Sequence, residues 1–284
     1  MLVGLLGAFA ASLCYGVASV LQALAARQTA TTEGLDPRLM LRLARSWRYL
    51  LGLALDGLAF LFSVAALRSL PLFAVQAIVC SFLAVTAVLG AIFLHMKLGR
   101  IDKIGVAVVV LGLVMVGSSA AEEAPGAGTS AEHWGLLVVS VLLAALAVPL
   151  ARLRGVRGAA SLGAVAGLGY GVVAVASRMI QSPLTVHGVL TDPATYALLV
   201  GGAVALLTYS TALQRGSVTQ ATAPLVVLET VAPAIVGVAL LGDHPRPGWT
   251  VVALIGFALA VGGALTLSRH GEIGESATPV ADPR

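Results

Sequence analysis

Long apolar stretches, separated by short polar or turn-forming stretches, run along nearly the whole chain. Each stretch is at least 18 residues long and apolar on every face, whereas a membrane-spanning β-strand has about 10 residues of alternating polarity. A helix of about 20 residues crosses the roughly 30 Å hydrocarbon core of a bilayer. The pattern therefore predicts an all-α, polytopic membrane protein with about nine transmembrane helices, over residues 2–26, 49–67, 72–94, 102–120, 134–151, 158–180, 194–213, 218–241 and 249–267.

The order of these segments indicates an internal repeat, because the first four recur after the fifth. Four helices return the chain to its starting side and a fifth reverses it, so the second set of four is inverted. Many secondary transporters are built from inverted repeats, with the substrate site near the midplane between the halves. The predicted units are a first repeat (1–120), a linker with the fifth helix (121–157), a second, inverted repeat (158–268) and a disordered cytoplasmic tail (269–284).

The first and sixth helices match when they are shifted by 155 residues, so that Tyr15-Gly16-Val17 aligns with Tyr170-Gly171-Val172. The shift also aligns two series of small residues at four-residue spacing, namely Ala8, Ser12 and Gly16 with Gly163, Gly167 and Gly171. Small residues at this spacing form a groove that lets two membrane helices approach closely. We predict that the second series packs against a neighbouring helix. Chance similarity between helices rich in Ala, Gly, Val and Leu is the alternative.

The composition supports a membrane protein: 58% of residues are hydrophobic, 11% are charged and the mean hydropathy is +0.98. Soluble domains have about 25% charged residues. A net charge of +4 could suit a nucleic-acid-binding protein, but 14 of the 17 Lys and Arg residues fall on one side if the N-terminus lies outside. Such a bias sets membrane orientation. We predict a multi-pass plasma-membrane protein with a cytoplasmic C-terminus, in contact with membrane lipid and without a nucleic-acid partner.

The predicted outer side has only three basic residues, Arg68, Arg178 and Arg246. We interpret Arg178, near the end of the sixth helix, as a side chain that snorkels to the membrane surface. On the inner side, residues 27–48 alternate apolar and basic side chains at three- and four-residue spacing. This pattern is typical of an amphipathic helix on the membrane surface. A structured loop over the inner mouth is the alternative.

Two segments in corresponding positions, 66–98 and 212–243, each begin with Ala-Leu before a short loop and continue into a helix with a central small residue or proline. They resemble the signature segments of the drug/metabolite transporter superfamily, including its EamA-like members. Nine helices and an acidic residue early in the second helix, here Asp56, are more similar to the NIPA-like branch of magnesium transporters. The first segment departs at His95-Met96-Lys97, where relatives have Gly-Glu, and the second has Gly242-Asp243. The resemblance implies a secondary transporter and leaves its substrate open.

Two carboxylates from opposite halves lie well inside predicted helices. Glu229 is 11 residues into the eighth helix, which is about 16 Å along at 1.5 Å per residue. Asp56 is seven residues into the second helix. A charge at the bilayer centre costs about 2.5–3.5 kcal/mol on insertion scales and normally faces the bundle interior or water. One carboxylate could exchange a proton, or both could hold a partly hydrated divalent cation. The alternatives are a structural pair, each carboxylate hydrogen-bonded to Ser, Thr or a backbone group, or carboxyl groups that are protonated and have no function.

Further polar side chains could line the same cavity: Tyr15, Tyr170, Gln76, Thr222 and Thr230. The hydroxyls and the amide could instead serve only packing or bonds within their own helices. Two prolines, Pro224 and Pro233, flank Glu229 and free backbone carbonyls around it.

The sequence has no Walker loop, no Cys/His metal cluster and no nucleophile elbow. We therefore predict no enzymatic activity and no cofactor, and leave a metal open. The preferred function is a secondary transporter that moves a small metabolite or organic cation by alternating access, coupled to an ion or proton. The alternatives are a NIPA-like transporter of magnesium or another divalent cation, and a non-transporting membrane scaffold. A homodimer is compatible with each of these three functions.

Overall fold

The structure is a computed structural model, and it describes residues 2–27, 46–93, 99–121, 128–180, 186–213 and 218–268. In these ranges the chain is helical apart from turns and an isolated antiparallel bridge between Ala120 and Pro245. The helices are α1 (Leu2–Arg27), α2 (Trp47–Ala66), α3 (Leu72–Cys80), α4 (Phe82–Phe93), α5 (Arg100–Ser119), α6 (Ser130–Leu150), α7 (Gly155–Met179), α8 (Val186–Thr191), α9 (Pro193–Leu213), α10 (Val218–Leu240) and α11 (Thr250–Ser268).

Eight helical stretches of the described chain are long and apolar enough to cross a membrane: α1, α2, α3 with α4, α5, α6, α7, α10 and α11. Helix α9 adds a shorter apolar stretch, Pro193–Tyr209. The prediction of an all-α, polytopic membrane protein is confirmed. The count of nine helices, the inverted repeat and the domain limits stay predictions. The predicted surface helix and the tail lie largely or wholly outside the described residues.

The third apolar segment is divided into α3 and α4, although its sequence predicts one continuous helix. The division falls at Ser81, whose backbone N–H donates to the Ile78 carbonyl at 3.1 Å. The Ser81 hydroxyl donates to the same carbonyl at 2.6 Å and lies 2.8 Å from the Ser12 hydroxyl of α1. Serine hydroxyls that compete for backbone carbonyls bend helices. The helix is therefore interrupted at the residue that bonds to α1.

We call α1–α5 the first half and α7–α11 the second half. The helices pack in pairs that correspond between these two halves. Helix α1 packs extensively against α2, as α7 does against α9. Helix α1 also contacts α4, as α7 contacts α10, and α5 packs along α11. The largest buried cluster surrounds α3, which is buried at almost every position and contacts α10 of the other half. The middle of the bundle therefore lies where the halves meet.

Contacts between the turns that connect the helices show which helix ends lie together. The Arg178 side chain, at the end of α7, donates to the Leu70 carbonyl at 3.0 Å. The Arg246 backbone N–H, between α10 and α11, donates to the Ser119 carbonyl at the end of α5 at 2.9 Å. The turns that follow α2, α5, α7 and α10 therefore lie at one end of the bundle, which we call the Arg178 end. In the predicted topology, all of them lie outside.

Candidate transport site

Glu229 lies midway along α10 and is partly buried. It borders a small cavity lined by residues of α3, α4 and α10, namely Gln76, Val79, Cys80, Phe82, Val226, Glu229 and Thr230. The water-accessible volume of this cavity is about 10 Å³, which is roughly the space of one water molecule. A molecule larger than water could enter this cavity only if the helices around Glu229 moved.

The backbone carbonyl of Glu229 has an unusual partner. In a regular α-helix it would accept a hydrogen bond from the N–H of residue 233, but that residue is Pro233, which has none. The side-chain amide of Gln76 donates to this carbonyl instead, at 3.2 Å. Gln76 belongs to the other half and is 8% exposed. The proline thus creates an open acceptor beside the carboxylate, and a side chain from α3 satisfies it.

Two tyrosines that the predicted repeat aligns lie near both carboxylates. Tyr15 and Tyr170 each interact electrostatically with both Glu229 and Asp56. Both tyrosines are partly buried, and the ring of Tyr15 lies 6.3 Å from that of Phe82, centroid to centroid. Asp56 and Glu229 are therefore both within electrostatic reach of the same two tyrosines. These four residues combine acidic and phenolic groups from both halves.

The predicted threonines have different surroundings. Thr222 is hydrogen-bonded to the hydroxyl of Tyr209 in α9, at 2.9 Å. Tyr209 interacts electrostatically with Glu229 and Tyr170, so it belongs to the site although sequence reasoning missed it. The sequence did contain a signal for Tyr209, because its neighbours in the sequence are polar although the helix is otherwise apolar. Thr230 donates to the Val226 carbonyl of its own helix at 2.7 Å, beside Cys80.

The glycine series of α7 lies along α10, the helix that bears Glu229. A Cβ atom added to Gly163 or Gly167 would fall against the backbone carbonyl of Ala221 or Leu225, respectively. At Gly171 it would lie 3.3 Å from Pro233 Cδ. The two backbones are thus too close for larger side chains at the first two positions. This contact fixes the distance between Tyr170 and the carboxylate helix.

Arg178 does not snorkel, and that interpretation is wrong. Its side chain is buried and paired with Asp243, with 2.8 Å between Arg178 Nη2 and Asp243 Oδ1. Arg178 Nη1 donates to the backbone carbonyls of Leu67 and Leu70. The Leu72 N–H, in the first turn of α3, donates to Asp243 Oδ2 at 2.5 Å. Arg178 stays inside because α7 ends against the 67–71 turn, whose carbonyls accept hydrogen bonds from the guanidinium.

A second cavity, of about 440 Å³, lies at the Arg178 end. It is lined by Gly128, Ser130, His133, Met179, Ile180, Gly188, Val189, Thr191, Asp192 and Pro193. His133 Nδ1 lies 2.6 Å from Asp192 Oδ1, which joins the start of α6 to the turn before α9. Among the described residues, no three His, Cys, Asp or Glu side chains are grouped so that they could hold a metal ion.

The eight apolar spans of the described chain define a multi-pass membrane protein. Residues 9–147, just under half of the chain, match the family model SLC35F, solute carrier family 35. This family is part of the drug/metabolite transporter superfamily, so the match supports the predicted resemblance at that level. The matched part includes Tyr15, Asp56 and Gln76 and ends before Glu229. No curated protein and no solved structure matches the chain significantly. The match and the apolar helices together support a membrane solute transporter.

Proposed function

We propose that the protein is a secondary transporter of a small metabolite or organic cation, with Glu229 as the residue that couples substrate to a proton or another ion. One observation carries the proposal: Glu229 lies midway along a membrane-spanning helix, within electrostatic reach of tyrosines of both halves that also interact with Asp56. A carboxylate in a membrane interior is expensive, and such residues mark transport pathways.

The chemistry around Glu229 suits a cation. Carboxylates supply negative charge, and the phenol rings of Tyr15 and Tyr170 can contact a cation through their faces or accept a hydrogen bond through their hydroxyls. A proton and an organic cation could then compete for the same carboxylate. This competition couples their movement, because the site carries one or the other across the membrane.

The packing of the helices supports alternating access. The small cavity lies where α3 and α4 of the first half meet α10 of the second. Rocking of one half against the other would expose this cavity to each side in turn, as in other transporters built from repeats. The bias of basic residues supports a plasma-membrane orientation with the N-terminus outside.

The test is flux into proteoliposomes that contain the purified protein, with a panel of metabolites, organic cations and magnesium, with and without a proton gradient. We expect Glu229→Gln to abolish gradient-driven uptake and to flatten its pH dependence. Exchange that moves no net proton should persist for a substrate that does not itself bind the carboxylate. Glu132→Gln is the matched control, because Glu132 caps the exposed start of α6 and glutamine preserves that capping box. It should leave the flux unchanged.

The other functions predict different outcomes. A divalent-cation transporter would lose magnesium uptake in both Glu229→Gln and Asp56→Asn, because each carboxylate offsets the reluctant dehydration of the ion. A scaffold would give no flux with any substrate, even as the wild type. Undiminished, still gradient-driven flux in both variants, each eluting as folded protein from a sizing column, would remove the carboxylates from the mechanism.

A further inference from the structure

We propose that Arg178 and Asp243 form a latch that holds the Arg178 end of the bundle closed and releases when the site opens toward that side. The inference rests on the proposed alternating-access function. It names two residues outside the Glu229 region as the device that controls access to it. The proposed topology puts this end of the bundle outside.

The latch is built across the boundary between the halves. Arg178 and Asp243 both belong to the second half, at the ends of α7 and α10. Each also bonds to the first half: Arg178 to the Leu67 and Leu70 carbonyls, and Asp243 to the Leu72 N–H. The ion pair itself can therefore persist while the halves separate. These three bonds across the boundary must break, as must the Arg246–Ser119 hydrogen bond and the Ala120–Pro245 bridge at the same end.

Local backbone geometry holds Asp243 in place. Gly242 follows α10 with a φ of +73°, a left-handed conformation that glycine adopts without strain. The resulting turn lets the Asp243 N–H donate to the Gly237 carbonyl at 3.0 Å. A Cβ added to Gly237 would lie 2.6 Å from Asp243 Oδ2 and 3.0 Å from Leu72 Cβ. The Asp243 carboxylate therefore occupies space that any side chain at position 237 would fill.

The energetics of a buried ion pair suit a gate better than a permanent clamp. Both side chains have no exposed surface, and the cost of removing two charges from water roughly cancels their attraction. When the halves separate, water reaches the pair and returns its hydration while the three bonds to the first half are lost. The closed and open forms can thus be close in free energy, as alternating access requires.

Helix α3 runs from the latch to the region around Glu229. Leu72 begins α3, and Gln76, one helical turn later, bonds the Glu229 carbonyl. Cys80 follows after another turn and lines the small cavity. Opening the latch would free the start of α3, so water and small reagents could reach Cys80 from the Arg178 end.

Cys80 supplies the test, because the chain has two cysteines and Cys14→Ser leaves Cys80 as the single thiol. Cys80 is 4% exposed. A membrane-impermeant thiol reagent is added to vesicles of either orientation, and the rate of Cys80 labelling is measured. The main variant combines Arg178→Gln with Asp243→Asn in this background, so that no buried charge is left unpaired. The assay needs no substrate.

We expect the double variant to be labelled about tenfold faster or more from the Arg178 side, because labelling of a buried thiol follows the population of its open form. Labelling from the opposite side should not rise. Asp192→Asn, which removes a carboxylate at the same end without touching the boundary between the halves, should match the parent. If the double variant does not fold, Arg178→Lys keeps the pair charged but cannot fork between Asp243 and the carbonyls, and should show the same one-sided increase.

Two results would overturn the latch: unchanged labelling in a folded variant, or an equal increase from both sides, which would mean general loosening. Failure of the transport proposal is distinguishable. A wild-type protein without flux, but with one-sided labelling controlled by Arg178 and Asp243, would contradict the transporter and leave the latch as an opening device.

Discussion

The contact between α7 and α10 gives the sharpest prediction about how the site is held together. Gly167 lies in the middle of this contact, where an added Cβ would be 2.9 Å from Leu225 Cα and 3.0 Å from its carbonyl carbon, and closer still to its oxygen. These are backbone atoms, which cannot turn aside as a flexible side chain can. Replacing Gly167 with leucine must therefore push the two helices apart.

The size of the effect follows from the geometry. Separating packed atoms by 0.5–1 Å loses about a quarter to a half of each contact's attraction, and the close contact extends to Gly163. Overpacking of a tight interior typically costs roughly 1–3 kcal/mol. For a chain of this size we expect the apparent melting temperature to fall by roughly 2–12 °C, if each kcal/mol shifts it by about 2–4 °C as in soluble domains.

The measurement is thermal stability of the purified protein in detergent, followed by the folded fraction on a sizing column. Gly262→Leu is the matched control, since Gly262 is exposed on α11 and an added Cβ there would meet no atom of the described chain within 4 Å. This variant should melt at or above the wild-type temperature, because leucine is the better helix former. Equal melting temperatures for the two leucine variants would refute the packing argument.

Two further predictions concern the site and the topology. In a melting assay, Gln76→Leu should destabilise the protein by about 1–3 kcal/mol, the usual cost of an unsatisfied buried group, because the Glu229 carbonyl loses its hydrogen bond. A reporter fused after Arg284 should be cytoplasmic and one inserted within 121–133 should be outside; a C-terminal reporter active only outside the cell would contradict the predicted orientation and helix count.

The helices could be predicted from the sequence because a bilayer imposes a local rule. Every backbone group in the hydrocarbon must be bonded within its own segment, so a long apolar stretch becomes a helix whatever surrounds it. Glu229 could be singled out by the same rule, because charge is costly in that environment. The glycine series could be read from its spacing alone. Its actual neighbours, Ala221 and Leu225, could not.

The features that the sequence did not disclose depend on contacts between distant segments. Arg178 and Asp243 are 65 residues apart, and each alone fits a helix end that faces water. Only the burial of both ends against the 67–71 turn makes them a pair. The interruption at Ser81 also depends on particular contacts, since serine is common inside membrane helices and disturbs them only where its hydroxyl competes for a backbone carbonyl.

A missing hydrogen bond within α10 allows a bond between the two halves. Pro233 leaves the Glu229 carbonyl without its usual donor, and Gln76 of α3 supplies one. Asp243, at the end of the same α10, bonds the N–H that begins α3. Helices α3 and α10 are therefore joined twice, once beside the carboxylate and once at the Arg178 end. We therefore expect a movement that breaks the bond at the Arg178 end to displace α3, which also bonds the Glu229 carbonyl, so that access to the proposed site and the polarity around Glu229 change together.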